Sequence, residues 1–375
     1  MSTDVRTRAV DKVASLAGQP TDLAAFWRSC TEVISTVVPH FWVPCFFTLD
    51  PSSLLVTSHF HEGLDEFPAE ALANEYYGDD VNKLVDVVRS PAGISTIHEA
   101  TQGDPSGSPR WRFNMSMGGE QEMIARLRTR QGECWGAIGL YREPGEAMFN
   151  EADKDFLRVI GPHLAAGARR AMTFGEAIDP EAPDGPGLLV IDSAWHVTSA
   201  SPSAEHWLSR LPDGDVRRGR LPAAVLAVAA QGMRDQRSPT VAFARVLASN
   251  GTWLYLHGAP LEGDDQPRVA VIIEPAHPAR IYPLLMSAYE LTERERDVVE
   301  LVLTGSSTAE IAEALVVSPL TVQNHLKSVF EKTGVRSRRD LVGKIFFTHY
   351  EPRFRDNERR VLRGEPVRGG PVLRT

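Results

Sequence analysis

The sequence predicts a multidomain chain in which two α+β segments precede an all-α module of four helices. Three observations carry this. Four helix-start signals crowd into residues 291–342. Upstream, runs rich in aromatic and β-branched residues alternate with amphipathic stretches, which reads as mixed helix and strand. Two stretches dense in Pro and Gly or acid, DPEAPDGPG (179–187) and EPAHPARIYP (274–283), divide the chain into roughly 1–178, 186–276 and 284–349. A length of 375 residues suits two or three domains, and 42% hydrophobic residues is ample for their cores.

In the first segment, 21–38 reads as an amphipathic helix, and 40–50 and 53–60 read as strands. Residues 118–142 read as two strands about a tight Gln131-Gly132-Glu133 turn. Residues 149–172 read as a long closing helix with Phe156, Val159, Ile160 and Leu164 on one face. Helices against a mostly antiparallel sheet give an α+β architecture. The second segment opens GLLVIDSAWHVTSASPSAEHWL: strand, turn, strand, helix. FARVLASNGTWLYLHGAPLEG and PRVAVIIEPA supply three more strands. No internal repeat stands out. PLLMSAYE (283–290) reads as a helix within a connecting stretch, 277–290.

Within the C-terminal module, Thr292-x-x-Glu295, Ser307-x-x-Glu310 and Ser337-x-x-Asp340 each read as a capping box. Ser318-Pro319 is the remaining start: serine caps, and proline takes the first helical position, where its missing N–H costs nothing. Four starts in so short a stretch describe a helical bundle with a helix-turn-helix at its centre, a module that places one helix in DNA. In the helix from Pro319 to about Thr333, Val322, Leu326, Val329 and Phe330 form an apolar stripe. The opposite face carries Leu320, Asn324, Lys327 and Glu331, flanked by Gln323. Gln and Asn can pair bidentately with adenine, and Lys can reach guanine or a phosphate.

This segment resembles the LuxR-type helix-turn-helix domain. The resemblance rests on Leu291-Thr292-x-Arg294-Glu295, Gly305, Glu310-Ile311-Ala312, Leu315, Ser318, Thr321-Val322, His325, Lys327, Lys332 and Gly334-Val335-x-Ser337-Arg338, in order and without a gap. It implies a DNA-binding domain over 291–349, with its helix-turn-helix motif at 308–327. Gln323, Asn324 and Lys327 then fall where base and backbone contacts are made. Thr321, Lys332, Arg336 and Arg338 become the phosphate contacts, which position the helix without specifying sequence. Thr308-Ala309 replaces a frequent Asn-Lys pair, Gln323 stands where Lys is usual, and Thr333 where Leu is usual. Readout should therefore move away from guanine.

The end of the first segment is a strand, a polar turn, a phenylalanine, an acidic helix start and a long helix. That order resembles the C-terminal half of a GAF domain, so 1–178 is expected to be a GAF-like sensor. The strand and helix order of 186–276 is similar to a PAS domain with a reduced helical region. For both, the alternative reading is a ligand-free scaffold used for dimerisation.

Charge fits this arrangement. The chain carries a formal net charge of -9, yet from Leu320 onward 13 Lys or Arg face 6 Asp or Glu, a net of +7 against -16 for the remainder. Local positive charge is what phosphate binding needs. The Arg-rich end, 350–375, reads as a flexible tail, with a phosphate-contacting arm as the alternative. No window approaches about eighteen unbroken apolar residues. The N-terminus lacks an apolar signal core. A cytoplasmic protein with no membrane partner is expected. Cys30, Cys45 and Cys134 are too few and scattered for a disulfide framework or zinc site; they read as reduced thiols, with a redox sensor or transient disulfide as alternatives.

Catalytic chemistry is not expected, because no nucleophile with its base, no metal-ligand cluster and no cofactor loop appears. His40, His59, His61, His98 and His163 show no haem-type spacing, so no cofactor is expected. Trp111 and Trp135 read as core, and Gly118-Gly119 precedes a strand, which is the wrong place for a phosphate loop. Asp50 ends a strand but lacks the partner acids and lysine of a phosphoreceiver. The expected partners are double-stranded DNA and a second copy of the chain, with a small-molecule effector or RNA polymerase beyond them.

Overall fold

The computed structural model of the chain describes residues 3–19, 22–62, 68–172, 183, 185–215, 218–234, 241–261, 266–349 and 358–363. The chain forms two compact units. One comprises Met1–Met172, Gly185–Ser249 and Leu254–Glu274; the other comprises Thr173–Asp184, Asn250–Trp253 and Pro275–Thr375. Most of the stretch expected as the first linker lies outside the described residues, as does the expected tail apart from 358–363.

The first unit begins with α1 (Thr3–Ala17), α2 (Leu23–Ser35), β1 (Cys45–Leu49), β2 (Val56–Phe60), α3 (Ala69–Asn74), α4 (Leu84–Arg89), β3 (Ile94–Thr96) and α5 (Ile97–Ala100). Next come α6 (Pro109–Ser116), β4 (Gln121–Arg128), β5 (Cys134–Arg142) and α7 (Glu151–Ala171). Strands β1 to β5 form one sheet in the order β2-β1-β5-β4-β3, antiparallel throughout. The unit continues with β6 (Gly187–Asp192), β7 (Val197–Ala200), α8 (Ala204–Arg210), α9 (Ala223–Arg234), β8 (Ala242–Leu247), β9 (Trp253–Leu261) and β10 (Arg268–Pro275). This second sheet runs β7-β6-β10-β9-β8, the strand order of the first again. The repeat is one of topology, carried by no shared residue pattern, which is why none stood out in the sequence.

Local signals set the boundaries. The carboxylate of Asp50 accepts the Ser52 N–H at 2.8 Å and Leu54 takes φ +60, so the chain turns sharply and β1 and β2 are shorter than the runs that predict them. At the β4–β5 turn Gly132 adopts φ +102 and donates its N–H to the Thr129 carbonyl. Asn150 caps α7 in a reciprocal box with Asp153. Helices α1, α2 and α7 pack together beside the first sheet, where Trp27 stacks on Phe46 with ring centroids 4.3 Å apart. Phe156, Ile160 and Leu164 are buried as expected, whereas Val159 is 53% exposed. The buried face of α7 follows 153, 156, 157, 160, 161, 164, 165 and 168, and Val159 falls just outside that arc. All three cysteines are free and buried, and desolvation pushes the thiols of Cys30 and Cys45 up to about 12.

Helix α9 was not foreseen. Its run AAVLAVAAQGM is apolar on every side and almost wholly buried, so no stripe marks it out. It packs on α3 and β2 of the first sheet's layer and on β8 of the second. A buried ion pair crosses the same seam. The Arg245 guanidinium donates to Asp50 at 2.6 and 2.7 Å and to the Ser52 hydroxyl at 2.7 Å, and its backbone N–H reaches Asp50 at 3.0 Å. Neither side chain exceeds 5% exposure. Asp50 is therefore committed to structure.

Asp213 caps α9 by accepting the Ala223 N–H at 3.0 Å, and it also accepts the His59 N–H at 2.6 Å. Burial raises its carboxyl from the ordinary range to about 6. The folded chain thus holds this proton more tightly than the unfolded chain. The associated stability is complete below about pH 4 and is lost as pH rises through about 6. Asp213 is only partly buried, which trims the effect to about 2 kcal/mol. We expect Asp213→Asn to flatten the wild-type decline between pH 4 and pH 6.5, read by urea unfolding at each pH. Parallel curves for the two proteins would contradict this.

The second unit contains α10 (Pro278–Ala288), α11 (Glu293–Leu303), α12 (Thr308–Ala314), α13 (Pro319–Thr333) and α14 (Arg338–His349). No helix among the described residues is long and apolar enough to cross a membrane.

Candidate nucleic-acid interface

The helical module is built from its caps inward. Thr292 and Ser307 each complete a reciprocal box, with Glu295 and Glu310, and open α11 and α12. Ser318 accepts the Thr321 N–H at 3.0 Å with Pro319 in the first helical position of α13. The Asp340 N–H donates to Ser337 at 3.0 Å at the start of α14. Three helices then stop in the same way. After α11, α12 and α13 the chain enters the left-handed region at Gly305, Val316 and Gly334, and the next N–H reaches back to the carbonyls of Leu301, Ala312 and Phe330.

Val316 is the exception among these stops. A β-branched residue at φ +56 is strained, and its side chain is 89% exposed, so packing gives nothing in return. Val316→Gly should raise the stability of this module by about 1 kcal/mol, the relief of strain outweighing the added freedom of the unfolded chain. Slower amide exchange in α12 and α13 would show it; faster exchange would contradict the strain.

These caps fix the orientation of α13. Val322, Leu326, Val329 and Thr333 are buried, while the fourth member of the expected stripe, Phe330, is half-buried. They pack α13 against α11 and α12. Thr333 satisfies its hydroxyl on the Val329 carbonyl at 2.7 Å. Buried Glu295 ties α11 to α13: it accepts from Ser328 and from Lys332, each at 2.6 Å. Those donors, with the Thr292 N–H, hold its carboxyl below the usual range despite desolvation. The opposite face is left clear. Gln323, Asn324 and Lys327 are all exposed, and Leu320 is 66% exposed.

The residues expected at phosphates differ among themselves. Arg336 is exposed, and Thr321 is half-buried with its hydroxyl 2.8 Å from that of Ser318. Lys332 is already paired with Glu295, at 26% side-chain exposure. An ammonium has three donors, so two remain. Arg338 donates to the Ser306 carbonyl at 2.8 Å and the Thr308 hydroxyl at 3.1 Å, fastening α14 to the start of α12. Both residues are ties within the bundle, a role sequence spacing did not reveal. Arg296 was missed altogether: it links α11 to the Leu291 carbonyl at 2.9 Å and the Ser287 hydroxyl at 3.2 Å, bracing the end of α10.

The model of the bacterial regulatory proteins of the luxR family matches residues 289–344. The spore germination protein GerE of Bacillus subtilis is 44% identical over 55 residues, 15% of this chain and 74% of that protein. A Mycobacterium bovis protein named as an HTH-type transcriptional regulator is 56% identical over 52 residues, 14% of this chain but only 6% of its own length. The transcriptional regulatory protein DesR of B. subtilis is 37% identical over 65 residues, 17% of this chain and 33% of DesR. Among solved structures, a phycoerythrobilin-bound GAF domain from a cyanobacterial phytochrome aligns over 44% of this chain and 95% of its own at 12% identity, with a TM-score of 0.33. A Vibrio cholerae VqmA dimer, described as a LuxR-type receptor, aligns over 44% of this chain and 82% of its own at 18% identity, with a TM-score of 0.22. Through the domain it shares with GerE, the chain belongs to the luxR family of bacterial regulatory proteins.

Proposed function

We propose that this protein is a sequence-specific DNA-binding transcription regulator, acting without catalysis, whose N-terminal unit biases the helix-turn-helix. One observation carries the reading. Helix α13 is locked by Val322, Leu326 and Val329 so that Gln323, Asn324 and Lys327 project together from the module. These are side chains able to pair with base edges in a major groove. Thr321, Lys332, Arg336 and Arg338 supply the phosphate contacts, Lys332 and Arg338 with the donors their internal bonds leave over. A single module of this size reads few bases, so the regulator works as a homodimer on a two-fold site.

Regulation follows by linkage: an effector that binds one arrangement of the N-terminal unit more tightly shifts the population competent for DNA. Helix α10, braced on α11 through Arg296, supports a coupling role for the segment expected to join sensor and reader.

Genomic fragments enriched on the full chain test the reading. Footprints are expected to show two half-sites one helical turn, about 34–36 Å, apart. Uniform retention of all fragments would defeat it.

A further inference from the structure

The first unit holds a partly open cavity of about 260 Å³, lined by residues of α3, α6, β4 and β5. A cavity of about 150 Å³ holds a benzene ring, so this one has room for a ring with a short chain. Its charge is one-sided. Glu70, Glu75, Asp80 and Glu122 line it against one cation, Arg110. The guanidinium forks onto two buried carboxylates, Nη1 to Glu75 and Nε to Glu122, each at 2.6 Å. Asp80 accepts only from neutral groups, the Ser108 hydroxyl at 2.8 Å and the N–H groups of Val81 and Arg110.

A second observation is independent of charge. Asn114 is 5% exposed and lines the cavity. It gives Nδ2 to Glu122 at 3.4 Å, and its Oδ1 accepts from no group among the described residues. Tyr141, 4% exposed, also lines the cavity, its hydroxyl beside the Cys45 thiol. An acceptor at the cavity wall that takes no bond from the chain is open to a donor carried by a ligand.

We propose that this cavity binds a small organic cation, an ammonium or amidinium group carried on a ring or a short apolar chain. The N–H groups of such a ligand satisfy Asn114 Oδ1, and its charge offsets the surplus of carboxylates. Phe113 and Tyr141 line the same cavity and supply aromatic surface beside the cation and its stem. An anion of the same shape meets four carboxylates, and a neutral apolar molecule leaves Asn114 unsatisfied. The proposal rests on the sensor half of the function above for its regulatory meaning only. Binding is measured without DNA, so its failure leaves the DNA reading untouched.

Calorimetric titration of the full chain with phenethylamine and with benzamidine tests it, with 3-phenylpropionate and phenethyl alcohol as anionic and neutral analogues. At least one cation is expected to bind saturably, about tenfold or more tighter than either analogue. Glu70→Lys, at an exposed position, and Asn114→Leu should each weaken it about tenfold or more. The exposed site keeps the test valid should the buried variant misfold. No binding by either cation, equal binding by the analogues, or wild-type affinity in Glu70→Lys would overturn the assignment.

Discussion

Arg245→Met is expected to lower the unfolding free energy of the first unit by about 3–5 kcal/mol, because it leaves a buried carboxylate without its counter-charge. The Asp50 side chain is 0% exposed and its oxygens take three bonds from Arg245, two from the guanidinium and one from the backbone N–H. The backbone N–H groups of Arg245 and Ser52 survive the substitution, but neutral donors do not replace the counter-charge of a carboxylate held out of water. Removing both charges, as in Asp50→Leu with Arg245→Met, should recover most of the loss, since a packed apolar pair of similar volume often equals a buried ion pair. A double-mutant cycle from urea unfolding followed by tryptophan fluorescence gives the coupling. A loss below about 1 kcal/mol for the single change would mean that water reaches the pair and that the two sheets are not tied there.

The second large effect lies on the reader. Asn324→Ala removes an exposed side chain and should leave folding unchanged. At a selected operator it should cost about 1–3 kcal/mol, roughly 5- to 150-fold in affinity, if the amide pairs bidentately with adenine. Binding to unrelated DNA should hardly move, because that binding comes from phosphate charge. Competition between operator and random duplex separates the two. An equal loss on both would make Asn324 a backbone contact.

How much of this was legible follows from where each signal sits. The reader was legible because its information is local. Thr292, Ser307 and Ser318 each act on an N–H within three residues, so spacing alone announces them. The β4–β5 hairpin was legible for the same reason, through Gly132, and α7 through the apolar spacing of Phe156, Ile160 and Leu164. Helices α3 to α6 have four to eight residues, too short for a period to show. Helix α9 has length without polarity and so gives no stripe. Asp50 and Arg245 stand 195 residues apart, and only the folded seam joins them. The candidate contacts divide in the same way. Exposure of Gln323, Asn324 and Lys327 followed from helical period, whereas the ties made by Lys332 and Arg338 depend on how α11, α12 and α14 meet α13.

The most direct test of the central claim is the equilibrium affinity of the full chain for its enriched genomic fragment, measured across salt, for wild type and Lys327→Glu. A dimer using Lys332, Arg336 and Arg338 of both copies neutralises about six phosphates, so log K should fall against log salt with a slope near -5. Lys327→Glu should then bind about 100-fold more weakly at every salt concentration, with its unfolding midpoint unchanged. Wild-type affinity in Lys327→Glu, or a wild-type slope near zero, would contradict the claim that this face of α13 reads DNA.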